Sequence, residues 1–277
     1  MFPTCRQVST GVCGVPRGAP RATFGRVIPD DLRTRADNRG AALGAWISLR
    51  EPLAAEVASR AGYDYVCIDM QHGLADLDMM GRMLTAVAVS TSLPIVRVPW
   101  NEPGAISRAL DAGALGVIVP MVNTADEAAA VVAAAKYPPL GARSYGPLAA
   151  RARFGDEYVA RANDLVAVIP MIETAEAVDN VEAIAAVPGV DGLYIGPADL
   201  SISIGLAPAG DQDDRRFVDA LERTVAACRR HGILPGIHAS AELAAKRRQQ
   251  GFRFITVGFD FGPMSAGLTS ALRTAAG

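Results

Sequence analysis

The chain has 277 residues, half of them hydrophobic and a fifth charged, enough apolar material to bury one domain core of roughly 200 to 250 residues. Its formal net charge is −2, with 27 Lys and Arg scattered among 29 Asp and Glu. Neither a nucleic-acid groove nor an anionic membrane surface is indicated as partner, which leaves a small molecule.

Residues 1–40 are rich in Arg, Gly, Pro and Thr without periodicity and predict a mobile N-terminal extension; residues 41–277 read as a single domain. Residues 1–25 lack an apolar signal core, and no uninterrupted apolar run reaches the ~18 residues of a membrane span. Cys5, Cys13, Cys67 and Cys228 share no C-x-x-C spacing. Cys67 sits inside an apolar run, which predicts a buried, reduced thiol and a cytoplasmic protein.

From Leu43 onward short apolar runs alternate with amphipathic segments. The runs are Ala45–Leu49, Tyr65–Asp69, Ile95–Val98, Gly116–Pro120, Val166–Ile172, Gly192–Ile195, Leu234–Ile237 and Phe254–Val257. Helical patterns begin near Pro52, Asp76, Pro103, Thr124, Thr174, Asp213, Ala241 and Pro263, several on residues suited to a helix start. Continuous apolar strands separated by helices imply a parallel sheet covered on its faces. Eight such units favour closure into a (β/α)8 TIM barrel over a doubly wound sheet. The one long interruption, Tyr137–Asp164, carries Arg143, Arg151 and Arg153; it reads equally as an anion-facing lid or a solvated surface loop.

A (β/α)8 barrel places its chemistry at strand C-termini. There the chain offers Asp69-Met70-Gln71-His72-Gly73 after strand two, Arg97 on strand three, Glu173-Thr174 after strand five and Gly196-Pro197-Ala198-Asp199 after strand six. Neighbouring strands lie about 4.8 Å apart, so Glu173 and Asp199 can share a hard divalent cation whose open positions take water and the two oxygens of an α-keto acid. The competing reading is that either residue caps the following helix. Asp69, three residues before His72 in a Gly-containing turn, can set its carboxylate against the imidazole as a proton-handling dyad, or His72 is structural. Arg97, inside an apolar strand, must meet an anion: a substrate carboxylate or oxyanion, or Asp69 or Glu173 in a buried salt bridge. His231 precedes Gly232 at a helix end, where it serves the dipole and has no site role. The only lysines are Lys136, at a helix end, and Lys246, in a solvated Lys-Arg-Arg-Gln-Gln run. Neither suits a Schiff base, so an enolate here requires a metal.

At these residues the sequence closely resembles the HpcH/HpaI aldolases, which cleave 4-hydroxy-2-oxo acids such as 4-hydroxy-2-oxoheptanedioate and 2-keto-3-deoxy sugar acids. The resembling segments are Gly44-Ala45-Trp46, Gly62-Tyr63-Asp64, Asp69–Gly73, Val96–Trp100, Val119–Val122, Ile172–Thr174 and Gly196–Ser201, from about Gly44 to the end. The resemblance implies a barrel of the phosphoenolpyruvate/pyruvate type and retro-aldol cleavage to pyruvate and an aldehyde through a metal-bound pyruvate enolate. It implies Glu173 and Asp199 as ligands of Mg, Mn or Co, and Arg97 steadying the carbonyl oxygen and enolate. It gives His72 and Asp69 the proton, through a water, and seats substrate on Gly196, Pro197, the amides of Ala198 and Asp199, and Trp46. It also implies a homo-oligomer, commonly a hexamer with exchanged C-terminal helices, with Pro263–Ala276 as interface. Gln71 stands where many relatives have Glu, and Met171 where some have Gln. Arg143 and Arg151 suggest an acidic aldehyde tail. Two further readings use the same residues: oxaloacetate decarboxylation, which passes through the same enolate, and a catalytically silent barrel that binds a keto acid.

Overall fold

Strand-length runs of Val, Ile, Leu and Ala, buried on both faces, account for the centre of the molecule. They form β1 (Ala42–Ile47), β2 (Tyr65–Asp69), β3 (Leu93–Arg97), β4 (Gly116–Val119), β5 (Ala167–Ile172), β6 (Gly192–Ile195), β7 (Leu234–His238) and β8 (Phe254–Phe259). The computed structural model describes residues 29–277, and in it these strands pair in parallel, in chain order, as a closed barrel. The expected (β/α)8 barrel is therefore the fold.

Helix α1 (Leu32–Arg39) precedes the barrel; α2 (Pro52–Arg60), α3 (Leu77–Val87), α4 (Pro103–Asp111) and α5 (Ala125–Ala135) follow β1 to β4 in turn. α6 (Leu148–Phe154) and α7 (Tyr158–Leu165) lead into β5; α8 (Ala175–Asp179) and α9 (Val181–Ala185) leave it. α10 (Pro197–Ser203) and α11 (Arg215–His231) follow β6, α12 (Ala244–Gln249) follows β7, and α13 (Phe261–Ala276) ends the chain. The starts follow local chemistry. Asp76, Thr124 and Thr174 each accept a backbone N–H of the first turn, Thr124 in a capping box with Glu127, and Pro52 and Pro103 open their helices. Inside the barrel the Tyr65 ring occupies the space a Cβ on Gly44 would fill, 2.0 Å from that position. The same large-for-small exchange seats Phe254 against Gly236. Cys67 and Cys228 are free and buried; Cys5 and Cys13 lie outside the described residues.

Two expectations need correction. Residues 31–39 are not a mobile extension: Leu32 and Ala36 are buried, Asp31 caps α1, and Arg39 pairs with the buried Asp64 at 3.0 Å. An eight-residue polar helix has too little propensity to announce itself and is held by these tertiary contacts. The rest of the predicted extension, residues 1–28, lies outside the described residues.

Nor is Tyr137–Asp164 a lid. It connects a helix to the next strand, so it lies at the N-terminal end of the barrel, away from the strand C-termini. There Ala150, Phe154 and Tyr158 are buried with Leu115 and Ala167. The Arg143 guanidinium is enclosed, bonded to Asp111 at 2.7 Å and to the Tyr158 hydroxyl at 3.2 Å, while Arg151 bonds Tyr145 and Asp156. The acidic-tail role suggested for Arg143 and Arg151 fails on that placement. Accordingly, Arg143→Ala should cost about 1–3 kcal/mol in urea unfolding, through an unpaired Asp111 and a cavity, while leaving any preference between dicarboxylate and neutral substrates unchanged. A changed preference would return this segment to the site.

Candidate active site

The strand register brings the first pair together. Asp69 and Arg97 are partners at the ends of β2 and β3, so their side chains leave the sheet side by side. Arg97 Nε donates to Asp69 Oδ1 at 2.8 Å and Nη2 to Oδ2 at 2.6 Å, a bidentate pair almost wholly buried. Burial works against the charge of Asp69, yet the guanidinium outweighs it and holds this carboxyl below the usual range. Oδ1 also accepts from the backbone N–H of Gln71 at 3.0 Å and of His72 at 3.3 Å. The expected Asp69–His72 dyad is therefore not formed: the carboxylate caps the turn that carries His72 and is occupied by Arg97, so it does not reach the imidazole. Arg97 has a salt bridge, as one of its two readings required, but only two of its N–H groups serve it; the guanidinium also lies 4.9 Å over the Trp46 ring and lines the cavity.

Glu173 follows β5 and is 1% exposed. Its Oε1 accepts from the Met121 N–H at 2.7 Å, and Met121 holds a left-handed φ of 55° to present that donor, a conformation costly for a residue with a side chain. Oε2 is buried without a partner. Burial, reinforced by the charge of Asp199 and resisted by the Met121 bond and Arg97, pushes the carboxyl up to about 7. A Cβ on residue 196 would come within 2.6 Å of Oε2, so Gly196 is what lets the next strand end approach this oxygen. Asp199, in the first turn of α10, opens to the cavity. Neither carboxylate caps a helix: Thr174 caps α8, and α10 has Gly196 at its cap with no side-chain bond. Among the described residues no group of three or more His, Cys, Asp or Glu is placed to hold a metal; this pair supplies two oxygen donors.

Asp69, Arg97, Gly196 and Asp199 line a cavity of about 640 Å³ at the C-terminal ends of the strands, and Glu173 lies buried against its wall beside Gly196. His72 is exposed at its mouth; Trp46, Pro197 and Ala198 line it, and Met171 makes its wall apolar. Sequence reasoning missed His238, the last residue of β7, which lines the same cavity. Burial, with Arg97 nearby, holds its imidazole down to about 4 and so neutral. The available signal was a histidine just past the apolar run Leu234–Ile237, the position at which barrel chemistry sits. His231 pairs with Glu182 at 2.7 Å at the end of α11, outside the cavity. Lys136 is enclosed beside β5, bonded to the Val166 carbonyl at 2.6 Å and to Asp191 at 2.9 Å, and Lys246 binds Asp211. Neither lysine lines the cavity.

Comparisons with known proteins bear on the family and the fold. The family model described as HpcH/HpaI aldolase/citrate lyase matches residues 42–266. The chain is 40% identical over 239 residues to a hydroxypyruvate/pyruvate aldolase of Rhizorhabdus wittichii, covering 85% of this chain and 94% of that one. It is 40% identical over 222 residues to a 4-hydroxy-2-oxo-heptane-1,7-dioate aldolase of Salmonella arizonae, covering 79% and 84%. Among solved structures, an HpcH/HpaI aldolase/citrate lyase family protein from Burkholderia cenocepacia J2315 aligns with a TM-score of 0.79 at 39% identity, over 89% of this chain and 99% of that one.

Proposed function

The chain belongs to the HpcH/HpaI aldolase/citrate lyase family, and from that membership we propose that this carbon–carbon lyase reversibly cleaves a 4-hydroxy-2-oxo acid to pyruvate and an aldehyde, with Glu173 and Asp199 holding a divalent cation. The observation that carries the reading is Glu173 Oε2, a buried carboxylate oxygen with no partner, facing Gly196 near a second carboxylate. An orphaned oxygen in that setting fits a hard cation, which takes oxygen donors and keeps open positions. Bound there, Mg, Mn or Co would supply Lewis-acid stabilisation of the negative charge gathering on the substrate's 2-oxygen.

The remaining roles fall to the chain's own groups. In the cleavage direction the C3–C4 bond breaks, its electron pair moves toward the 2-oxygen, and the C4 hydroxyl loses its proton as the aldehyde forms. Arg97, fixed by Asp69, directs its free N–H groups at that oxygen. His72 at the cavity mouth takes the proton, with water as carrier, and later returns one to C3. Ala198 and Asp199 present first-turn amides to the substrate carboxylate, and Trp46 covers the bound acid beside Arg97. Asp69 is a positioning residue in this scheme. Purified protein should release pyruvate from such acids with Mn present and stop when the metal is chelated; pyruvate release undiminished by exhaustive chelation would contradict the metal role.

The Glu173 carboxyl sets a pH dependence. A cation binds only its ionised form, so with the carboxyl at about 7 affinity should fall about tenfold per unit below pH 7 and level off above it. The sign for the metal-free fold is opposite. A value raised from 4.5 to about 7 means the folded chain holds this proton more tightly than the unfolded one, so this contribution is present at low pH and lost as pH rises through 7. Calorimetric titration of Mn between pH 5.5 and 8.5 tests the first statement, and a profile flat across that range would contradict it.

We also propose a cytoplasmic homo-oligomer joined through α13. No helix among the described residues is long and apolar enough to cross a membrane. α13 nevertheless exposes Phe261, Met264, Leu268 and Leu272 at 61%, 48%, 67% and 71%, a stripe at helical spacing that a monomer leaves wet. An apolar groove of about 450 Å³ beside it, lined by Ile47, Leu53, Val57 and Phe259, fits the same stripe of a second copy. Replacing Leu268 and Leu272 together with Asp should convert the assembly to monomers in size-exclusion chromatography with light scattering; wild-type protein that is already monomeric would contradict the interface.

A further inference from the structure

Among the polar groups of the cavity to which the roles above give no work, Ser48, Asp211, His238 and Ser240, the histidine is the one held by aromatic packing. His238 projects from the end of β7, one strand on from the Gly196–Asp199 turn. Its ring is held by packing: Trp46 meets it edge-on at 5.0 Å between centroids, and Phe259 lies 4.9 Å away. Nδ1 is hydrogen-bonded to the Tyr194 hydroxyl at 3.3 Å. Behind it runs a chain of hydroxyls through the barrel interior, Tyr194 to Thr256 at 2.6 Å and Thr256 to Tyr65 at 2.8 Å. Nε2 has no protein partner among the described residues, yet it is not among the occluded unpaired atoms. It opens to the cavity.

We propose that His238 determines specificity for the aldehyde-derived half of the substrate, its Nε2 hydrogen-bonding a hydroxyl there and favouring hydroxylated aldehydes over apolar ones of equal length. The proposal rests on the aldolase reading of this cavity. The pyruvate half already has partners for its carboxylate and its 2-oxygen, and a cavity of about 640 Å³ is much larger than pyruvate alone. Nε2, fixed by the packing of Trp46, Tyr194 and Phe259 around the ring, is then left for the other half. Burial keeps both tyrosines protonated, so the hydroxyl chain can run in either direction. Nε2 can therefore donate to a substrate hydroxyl or accept from it, depending on the tautomer. An apolar tail would leave that nitrogen desolvated and unpaired, which is how a hydrogen-bonding site rejects an analogue lacking the group.

The test compares glycolaldehyde with propionaldehyde, which differ by a hydroxyl in place of a methyl, as acceptors for pyruvate with Mg. Wild-type protein should prefer glycolaldehyde, and His238→Phe, which keeps the ring packing and removes both nitrogens, should lower the glycolaldehyde-to-propionaldehyde ratio of kcat/KM by about 10- to 100-fold. Exchange of pyruvate methyl protons in deuterated water, which involves only the pyruvate half, should stay near wild type. An unchanged ratio with exchange intact overturns the proposal and leaves the aldolase reading standing. Wild-type protein that neither exchanges pyruvate protons nor condenses either aldehyde overturns the aldolase reading and the proposal with it. If His238→Phe loses exchange, His238→Asn, which keeps a polar atom for Tyr194 and lacks Nε2, is read by the same ratio: a similar fall supports the contact and an unchanged ratio overturns it.

Discussion

Glu173→Gln should lower kcat/KM for 4-hydroxy-2-oxo acid cleavage by about a thousandfold or more, the effect of removing several kcal/mol of charge stabilisation at about 1.4 kcal/mol per tenfold. The substitution is close to isosteric, and the amide oxygen can still accept from Met121 N–H, so the strand end keeps its shape. What disappears is half of the anionic charge that would hold the cation. Stability should not fall with activity. The native carboxyl is buried with one oxygen unpaired, and replacing a poorly compensated buried charge by a neutral group is neutral or stabilising. Asp199→Asn should lose activity similarly while remaining folded. Steady-state pyruvate release and thermal unfolding, measured on the same preparations, check both halves of this expectation.

Arg97→Ala should fail in both respects. Removing one member of a buried pair leaves Asp69 as an uncompensated charge, a loss of about 3–5 kcal/mol, and strips the developing oxyanion of its fixed donor, worth about 10²- to 10³-fold in kcat. Arg97→Lys preserves charge but not the fork that makes two bonds to Asp69, so its activity should also drop. The double replacement Arg97→Leu with Asp69→Leu separates the roles: it should recover most of the lost stability, because apolar groups can take over a buried pair's volume, and recover none of the activity. Urea unfolding of the single and double variants measures the first outcome, and pyruvate release measures the second. Unfolding of Arg97→Ala at the wild-type urea concentration would contradict a stabilising role for the pair.

Much of the fold and of the site is legible in the amino-acid sequence because strand-end chemistry is local. Tyr65–Asp69 and Gly192–Ile195 have the same limits as apolar runs and as strands, since each is a short run stopped by polar or glycine residues. Glu173 and Asp199 follow from the rule that barrel chemistry sits just past such runs. The pairing of Asp69 is less legible. A spacing of three residues in a turn offers His72, whereas the strand register, invisible in one sequence, gives the carboxylate to Arg97. His238 escapes notice because a histidine closing β7 has no partner within reach along the chain; Trp46, Tyr194 and Phe259 come to it from other strands. Arg143 misleads for the reverse reason. Its charge suggests an anion, but its position after a helix and before a strand consigns it to the far end of the barrel, where Asp111 and Tyr158 enclose it.

In the proposed function Glu173 and Asp199 hold the cation against which pyruvate is enolised. The most direct measurement follows the methyl protons of pyruvate by NMR in deuterated water with Mg, with no aldehyde present. Wild-type protein should show exchange that stops on chelation and returns with Mg, and Glu173→Gln should show none at any practical Mg concentration. Exchange by metal-stripped Glu173→Gln at the wild-type rate would contradict this role for the two carboxylates.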